Sequence, residues 1–281
     1  MPRVTRRGLI GGAAAFCATQ GRADATLRFA LTPVILDNDA DAAETLRAAL
    51  AAGSGHAIEL VRRRSYAEIT ALLLEGSVEA AWLCGYPYLQ HRAELALLGV
   101  PVWRGRPRYQ SYLIATAGDP ARSLADLRGG IHAFSDPDSN SGWLVTASDL
   151  ARIGETPDRF FARSFFTWGH RNVVRAVAAG LARSGSVDGY VWEALRQVEP
   201  DLTEATRVVA RSEWLGFPPL VARRDRMTSA PVQSLQRSAL QMAKTIPGRA
   251  ALGALQLDGI IAAEPALYDG ILARMHDLGQ P

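Results

Sequence analysis

The stretch GIHAFSDPDSNSGWLVTASDL (residues 130–150) runs from a short apolar segment through a polar loop into a helix-like pattern. A strand feeding a helix in this way is the repeating step of an α/β fold. The loop holds Ser135, Asp136, Asp138, Ser139, Asn140, Ser141 and Gly142. Ser139 and Ser141 are good N-caps, and Asp138 suits the positive end of a helix. One cap needs one such residue, and the loop offers several. Helix-start N–H groups flanked by hydroxyls form an anion site without any basic side chain. Capping and anion binding are both open readings here.

The same step recurs on either side. TLRFAL (26–31), AIELV (57–61), EAAWLC (79–84), SYLIAT (111–116), GIHAF (130–134), SVDGYVW (186–192), TRVVA (206–210) and PPLVAR (218–223) read as strands. Between them, DAAETLRAALAAG (41–53) reads as a helix stopped by Gly53. SYAEITALLLEG (65–76) opens with the capping-box spacing Ser65 to Glu68 and stops at Gly76. HRNVVRAVAAGLAR (170–183) carries its apolar residues at helical spacing, and the chain from Pro231 reads as helices only. Alternating strands and helices predict mostly parallel α/β sheets. The element order predicts one lobe from 26–112 with 213–281 and a second from 113–212, joined by two crossovers around a cleft.

Residues 1–25, MPRVTRRGLIGGAAAFCATQGRADA, have the basic region, apolar region and Ala-x-Ala end of a secretory signal. Arg6-Arg7 resembles a twin-arginine signal, the alternative being a Sec signal with an incidental pair. This segment holds four of the 31 basic residues and one of the 28 acidic ones, leaving 27 of each. The formal charge of +3 thus belongs to the signal, and the mature chain makes no case for nucleic acid or membrane-surface binding. Cys84 is the only thiol outside that segment, either a buried small hydrophobe or a reactive group.

Three other junctions are candidates. His170, after Gly169, opens a helix and is either a capping or packing residue or a donor to an oxyanion. In AAWLCGYPYLQHR (80–92) a strand runs into Cys84-Gly85, and Tyr86 or Tyr88 offers a phenol to a ligand or packs in the core. Asp188, Tyr190 and Trp192 alternate, which places them on one face of a strand, with Tyr190 and Trp192 as cleft walls or core. All are strand ends or strand-to-helix junctions, where open α/β sheets bind ligands. The sequence carries no hydrolase, zinc-protease, P-loop or dinucleotide motif, and its five histidines show no metal-ligand spacing. A Cys84–His170 nucleophile pair is the one enzyme reading left, and no local motif supports it. Neither an enzyme nor a cofactor is expected.

AWLCGYPYL, SLADLRGGIHAFSDPDSNSG, GHRNVVRAVAAGLARSGSVDGYVWEAL and GFPPLVARRD, in this order, resemble the phosphate/phosphite/phosphonate-binding (PhnD-type) solute receptors of ABC transporters. The resemblance is clearest over residues 26–225. It implies a type II periplasmic binding protein: two α/β lobes closing on a small oxyanion, a monomer in the periplasm served by an ABC permease. It also implies that Ser139, Asn140 and Ser141 grip the oxyanion, with Asn140 in place of a commoner threonine, and that His170 assists. An aromatic from the 83–88 region would join them. An acidic residue near 186–192, which reads an amine substituent, has no clear counterpart. Cys84 is a second departure. Related sensor proteins bind arsenite through such a cysteine and signal to a membrane histidine kinase, which is the alternative function.

Overall fold

Two mixed β-sheets with helices on their faces form the computed structural model, which describes residues 26–32 and 40–281. The expected signal segment, 1–25, lies outside the described residues.

The first sheet starts with β1 (Leu27–Leu31), α1 (Ala40–Ser54), β2 (Ile58–Arg62), α2 (Tyr66–Leu74), β3 (Ala80–Trp82), α3 (Gly85–Gln90) and β4 (Leu95–Val102). β1 lies parallel between β2 and β3. The chain crosses out along β5 (Arg108–Tyr109) and builds the second sheet. That sheet takes β6 (Ser111–Thr116), β7 (Ile131–Phe134), a π turn (Asn140–Leu144), α4 (Val145–Ala151), α5 (Pro157–Phe160) and β8 (Arg163–Phe166). It continues with α6 (His170–Ala178), β9 (Ser184–Asp188), α7 (Gly189–Val198), α8 (Pro200–Glu204) and β10 (Thr206–Arg211). The return runs along β11 (Leu215–Gly216), which pairs with β5, into β12 (Leu220–Arg223) of the first sheet. α9 (Ala230–Leu240), α10 (Ile246–Ala254), β13 (Gly259–Ile261) and α11 (Asp269–Asp277) complete the chain.

Strand orders are β13-β4-β12-β3-β1-β2 and β10-β6-β9-β7-β8. The expectation of mostly parallel sheets needs correcting: the returning β12 enters antiparallel between β3 and β4, and β6 runs antiparallel to β9 and β10. β4 escaped the strand reading, while β8 is the strand implied before His170. β13 shows that the C-terminal segment is not helical throughout, and its three residues are too short to show a period. Gly53 does not end α1. It lies inside the helix, where a Cβ would run into Ser238 of α9, and Gly55 (φ 75°) takes the left-handed stop position. The capping box forms: Ser65 N–H donates to Glu68 Oε2 at 3.0 Å and Glu68 N–H to Ser65 Oγ at 3.3 Å.

One continuous apolar core runs through both sheets, from Phe29 and Ala81 in the first to Ile114 and Val187 in the second, with Val173 of α6 packed among them. A smaller cluster around Phe134, Leu150, Phe160 and Phe161 fills the far side of the second sheet.

Only the first three residues of the stretch 186–192 are strand. β9 ends at Asp188 and α7 begins at Gly189, so Tyr190 and Trp192 are helical and do not share a strand face with Asp188. Asp188 itself stops the strand, because its Oδ1 accepts from Tyr190 N–H at 2.8 Å and caps the helix.

Candidate functional site

Each sheet sends strand ends and helix starts towards the other. Tyr66 opens α2 and Gly85 opens α3 on the first side. Asn140 opens the π turn, His170 opens α6 and Gly189 opens α7 on the second. Hydrogen bonds join these starts across the gap. Tyr66 N–H donates to Asp136 Oδ2 at 3.1 Å, and the Tyr66 hydroxyl lies 3.2 Å from His170 Nε2. Asn140 N–H donates to Cys84 Sγ at 3.3 Å, and Asn140 Nδ2 donates to the Tyr109 hydroxyl at 2.9 Å.

The loop 135–142 is shaped by its own side chains. Ser139 Oγ accepts from Gly142 N–H at 3.0 Å, and Asp136 Oδ1 accepts from Asp138 N–H at 2.8 Å. The Ser141 carbonyl accepts from Ser111 Oγ at 2.6 Å, which ties the loop to β6. Gly142 leaves room for this fold, since a Cβ there would overlap Ser135 Oγ. The helix begins with a π turn, a widened geometry frequent at functional sites. Ser139, Asn140 and Ser141 are all at most 1% exposed.

Proton positions follow from the geometry. Asp188 N–H donates to His170 Nδ1 at 3.1 Å, so that nitrogen carries a lone pair. Burial pushes the His170 pKa down to about 3, so the ring is neutral and its one proton sits on Nε2. Nε2–H therefore donates to the Tyr66 oxygen and leaves the phenolic proton free to donate. Tyr109 is in the same position, because its oxygen accepts from Asn140. Burial, then the nearby Cys84, Asp136 and Asp188, push the Tyr66 pKa well up, so this phenol keeps its proton.

Acceptors line the same space. Burial raises the pKa of Asp136 and carries that of Asp188 up to about 7. Ser135 Oγ and Asn140 Oδ1 are buried with no hydrogen-bond partner in the protein. Among the described residues, no lysine or arginine is hydrogen-bonded to Tyr66, Cys84, Tyr109, Asp136, Asn140, Ser141, His170 or Asp188. Positive potential in the cluster therefore comes from helix starts and oriented donors.

The structure brings Cys84, Ser139, Asn140, Ser141 and His170 together. Four other candidates stand apart. The Tyr86 hydroxyl donates to Gln280 Oε1 at 2.8 Å, and its ring stacks on Trp143. Tyr88 packs edge-on against Tyr268. The Tyr190 hydroxyl donates to the Leu255 carbonyl at 2.5 Å, and its ring packs on Trp103 and Phe217. Trp192 Nε1 donates to Thr206 Oγ1 at 3.1 Å. These aromatics are core or edge, because α-helical geometry turns them away from the strand ends.

Tyr66, Tyr109, Asp136 and Asp188 are the members that sequence reasoning missed. Asp136 was visible only as a capping residue and Asp188 only as one of an alternating trio. Tyr66 follows a strong capping serine that draws the eye, and Tyr109 lies in a crossover with no pattern around it.

Nucleophilic chemistry finds little footing here. Burial pushes the Cys84 thiol up to about 12, and both His170 nitrogens are engaged by Tyr66 and Asp188 rather than by sulfur. The arrangement suits holding a small oxygen-rich anion out of water.

Known proteins share this architecture. A binding-protein component of an ABC phosphonate transporter from Pseudomonas aeruginosa superposes with a TM-score of 0.82 at 20% identity, covering 90% of this chain and 86% of that one. PhnD1 from Prochlorococcus marinus, in complex with methylphosphonate, superposes at 0.78 with 16% identity, covering 91% and 99%. At those identities the likeness establishes the fold, a two-lobed type II periplasmic binding protein. A family model described as the periplasmic substrate-binding protein of phosphonate ABC transporters matches residues 29–268. That match spans both sheets and every residue of the polar cluster, and the chain belongs to this family of periplasmic phosphonate-binding proteins.

Proposed function

We propose that this protein captures a small phosphonate- or phosphite-class oxyanion in the cluster between its sheets and delivers it to an ABC permease. The observation that carries the reading is the convergence of helix starts from both sheets on a buried, cation-free set of donors. Tyr66 and Tyr109 each have a phenolic proton to give, and Ser139, Asn140 and Ser141 surround the start of the π turn. Such a set favours an anion that brings a proton of its own: Asn140 Oδ1 is an unpartnered acceptor, and burial that raises the pKa of Asp136 and Asp188 equally disfavours a fully ionised ligand beside them.

In this reading the lobes are 26–112 with 213–281, and 113–212, and the β5–β11 ladder acts as the hinge. Ligand bridging the two sides populates the closed form, because only that form makes both sets of contacts. The chain acts as a monomer in the periplasm, exported by residues 1–25, and does no chemistry on its ligand. The thiophilic-ligand reading draws less support, since Cys84 keeps its proton and its sulfur accepts from Asn140.

A thermal-shift screen of methylphosphonate, phosphite, phosphate, sulfate, arsenate and arsenite tests this directly. A ligand that binds only the folded chain raises the melting temperature, by an amount set by its concentration over Kd. Methylphosphonate or phosphite should shift both the wild type and Cys84→Ser. A shift with arsenite alone, lost in Cys84→Ser, would replace the transport reading, and no shift with any anion would end it.

A further inference from the structure

The C-terminal helix α11 touches both sides of the cleft. It packs on α3 and β11, with Ile271 against Gly85 at the start of α3, and on its other flank it meets α4 and the π turn. Arg274 lies within this helix with 3% of its side chain exposed. Its Nε and Nη2 fork onto Glu213 at 2.8 and 2.6 Å, in the crossover between β10 and β11. Its Nη1 donates into α4, to the Val145 carbonyl at 3.0 Å, Asp149 Oδ1 at 2.8 Å and Ser148 Oγ at 3.3 Å. Asp277 at the end of α11 adds a second tie, accepting from Ser148 Oγ at 2.6 Å and Arg152 Nε at 2.8 Å.

We propose that Arg274 is a positioning residue for ligand capture, pinning α4 and the Ser139–Ser141 loop to the hinge crossover in the closed form and slowing ligand release. The argument rests on the reading that this loop grips the anion. Val145 follows the π turn directly, so a bond to its carbonyl holds the helix that continues the loop. A planar guanidinium suits two elements at once because its donors are spread over a rigid fork, whereas the three donors of lysine sit on one compact ammonium. The partner in the other lobe suits a reversible tie: the side chain of Asp149 is 40% exposed, so water can take it back when the lobes part, while Glu213 holds Arg274 from the hinge side. Arg274 reaches no member of the polar cluster, and its loss therefore acts through α4.

The test is stopped-flow release of methylphosphonate, or of phosphite where methylphosphonate gives no signal. The proteins are the wild type, Arg274→Met, Arg274→Lys and the double variant Asp149→Asn/Glu213→Gln. Breaking a buried charged bond acts mainly on the off-rate. Arg274→Met should release ligand about tenfold faster or more, with association within about threefold of wild type. Arg274→Lys should not rescue it, and the double variant should reproduce it. A lower melting temperature with unchanged release would show a merely structural arginine and overturn the proposal. If Arg274→Met does not fold, the double variant decides by the same criterion. If the wild type binds no probe, the transport reading falls. A proposal about ligand release then falls with it, whereas a wild type that binds while the variants release at the wild-type rate overturns the proposal alone.

Discussion

Asp188 sits at the point where β9 becomes α7, and its burial has a cost that depends on pH. Its side chain caps Tyr190 N–H, but with its pKa raised from 3.8 to about 7 the folded chain holds a proton that the unfolded chain has released. Between those values stability therefore falls as pH rises, by up to about 1.4 kcal/mol per pH unit for one proton. His132 and His170 act in the opposite sense. Burial lowers both from 6.5 to about 3, so in that window the unfolded chain binds protons that the folded chain refuses, and stability rises with pH. Asp188→Asn keeps a capping oxygen and removes the falling contribution alone. Urea unfolding from pH 4 to 6.5 should therefore rise more steeply in the variant than in wild type, and its anion affinity should vary less between pH 6 and 8. Parallel stability curves for the two proteins would refute the assignment of a raised pKa to Asp188.

At the scale of the element, the π turn and its loop decide how the candidate anion site is built. Gly142 has no room for a side chain: a Cβ would overlap Ser135 Oγ and lie 2.9 Å from Ser139 Oγ, both buried. Gly142→Ala should destabilise the fold by about 1–3 kcal/mol through overpacking. It should also abolish the thermal shift with methylphosphonate, because Ser139 must move. A variant that still shows the full ligand shift would mean that the loop is not the anion grip. This loop was legible in the sequence because it holds more hydroxyls and carboxylates than one cap can use. The α2 start was legible through Ser65 and Glu68, whose side chains bond locally and leave a fixed spacing. The 186–192 stretch misled because apolar and polar residues keep alternating across the β9–α7 junction, and only the capping role of Asp188 marks the break. Tyr66 and Tyr109 left no signal, since their role arises from partners 104 and 31 residues away. β13 and the insertion of β12 between β3 and β4 depend on non-local pairing that no local pattern encodes.

At the scale of the whole molecule, the two sheets are joined by contacts that cross between them. The Tyr66–His170 and Cys84–Asn140 bonds lie deep, and Arg64 stacks over Trp168 at 5.5 Å beside them. Trp168 takes a left-handed backbone (φ 60°), a strained choice for a bulky residue, two positions before His170. The β5–β11 ladder has only two residue pairs, so the link between the halves is thin compared with the core they share when closed. A ligand shifts such an equilibrium only by its differential affinity for the closed form. Tyr66 is well placed to supply that difference, because its main chain binds Asp136 and its oxygen accepts from His170, which leaves its phenolic proton free to donate. Tyr66→Phe keeps the ring packing but strands the buried Nε2–H of His170 and removes a ligand donor. Each such loss costs about 1–3 kcal/mol. Small-angle scattering should show wild type contracting as methylphosphonate is added. Tyr66→Phe should need at least about thirtyfold more ligand for the same contraction, which corresponds to about 2 kcal/mol or more. Contraction at the wild-type concentration would mean that Tyr66 packs across the interface without linking ligand to closure.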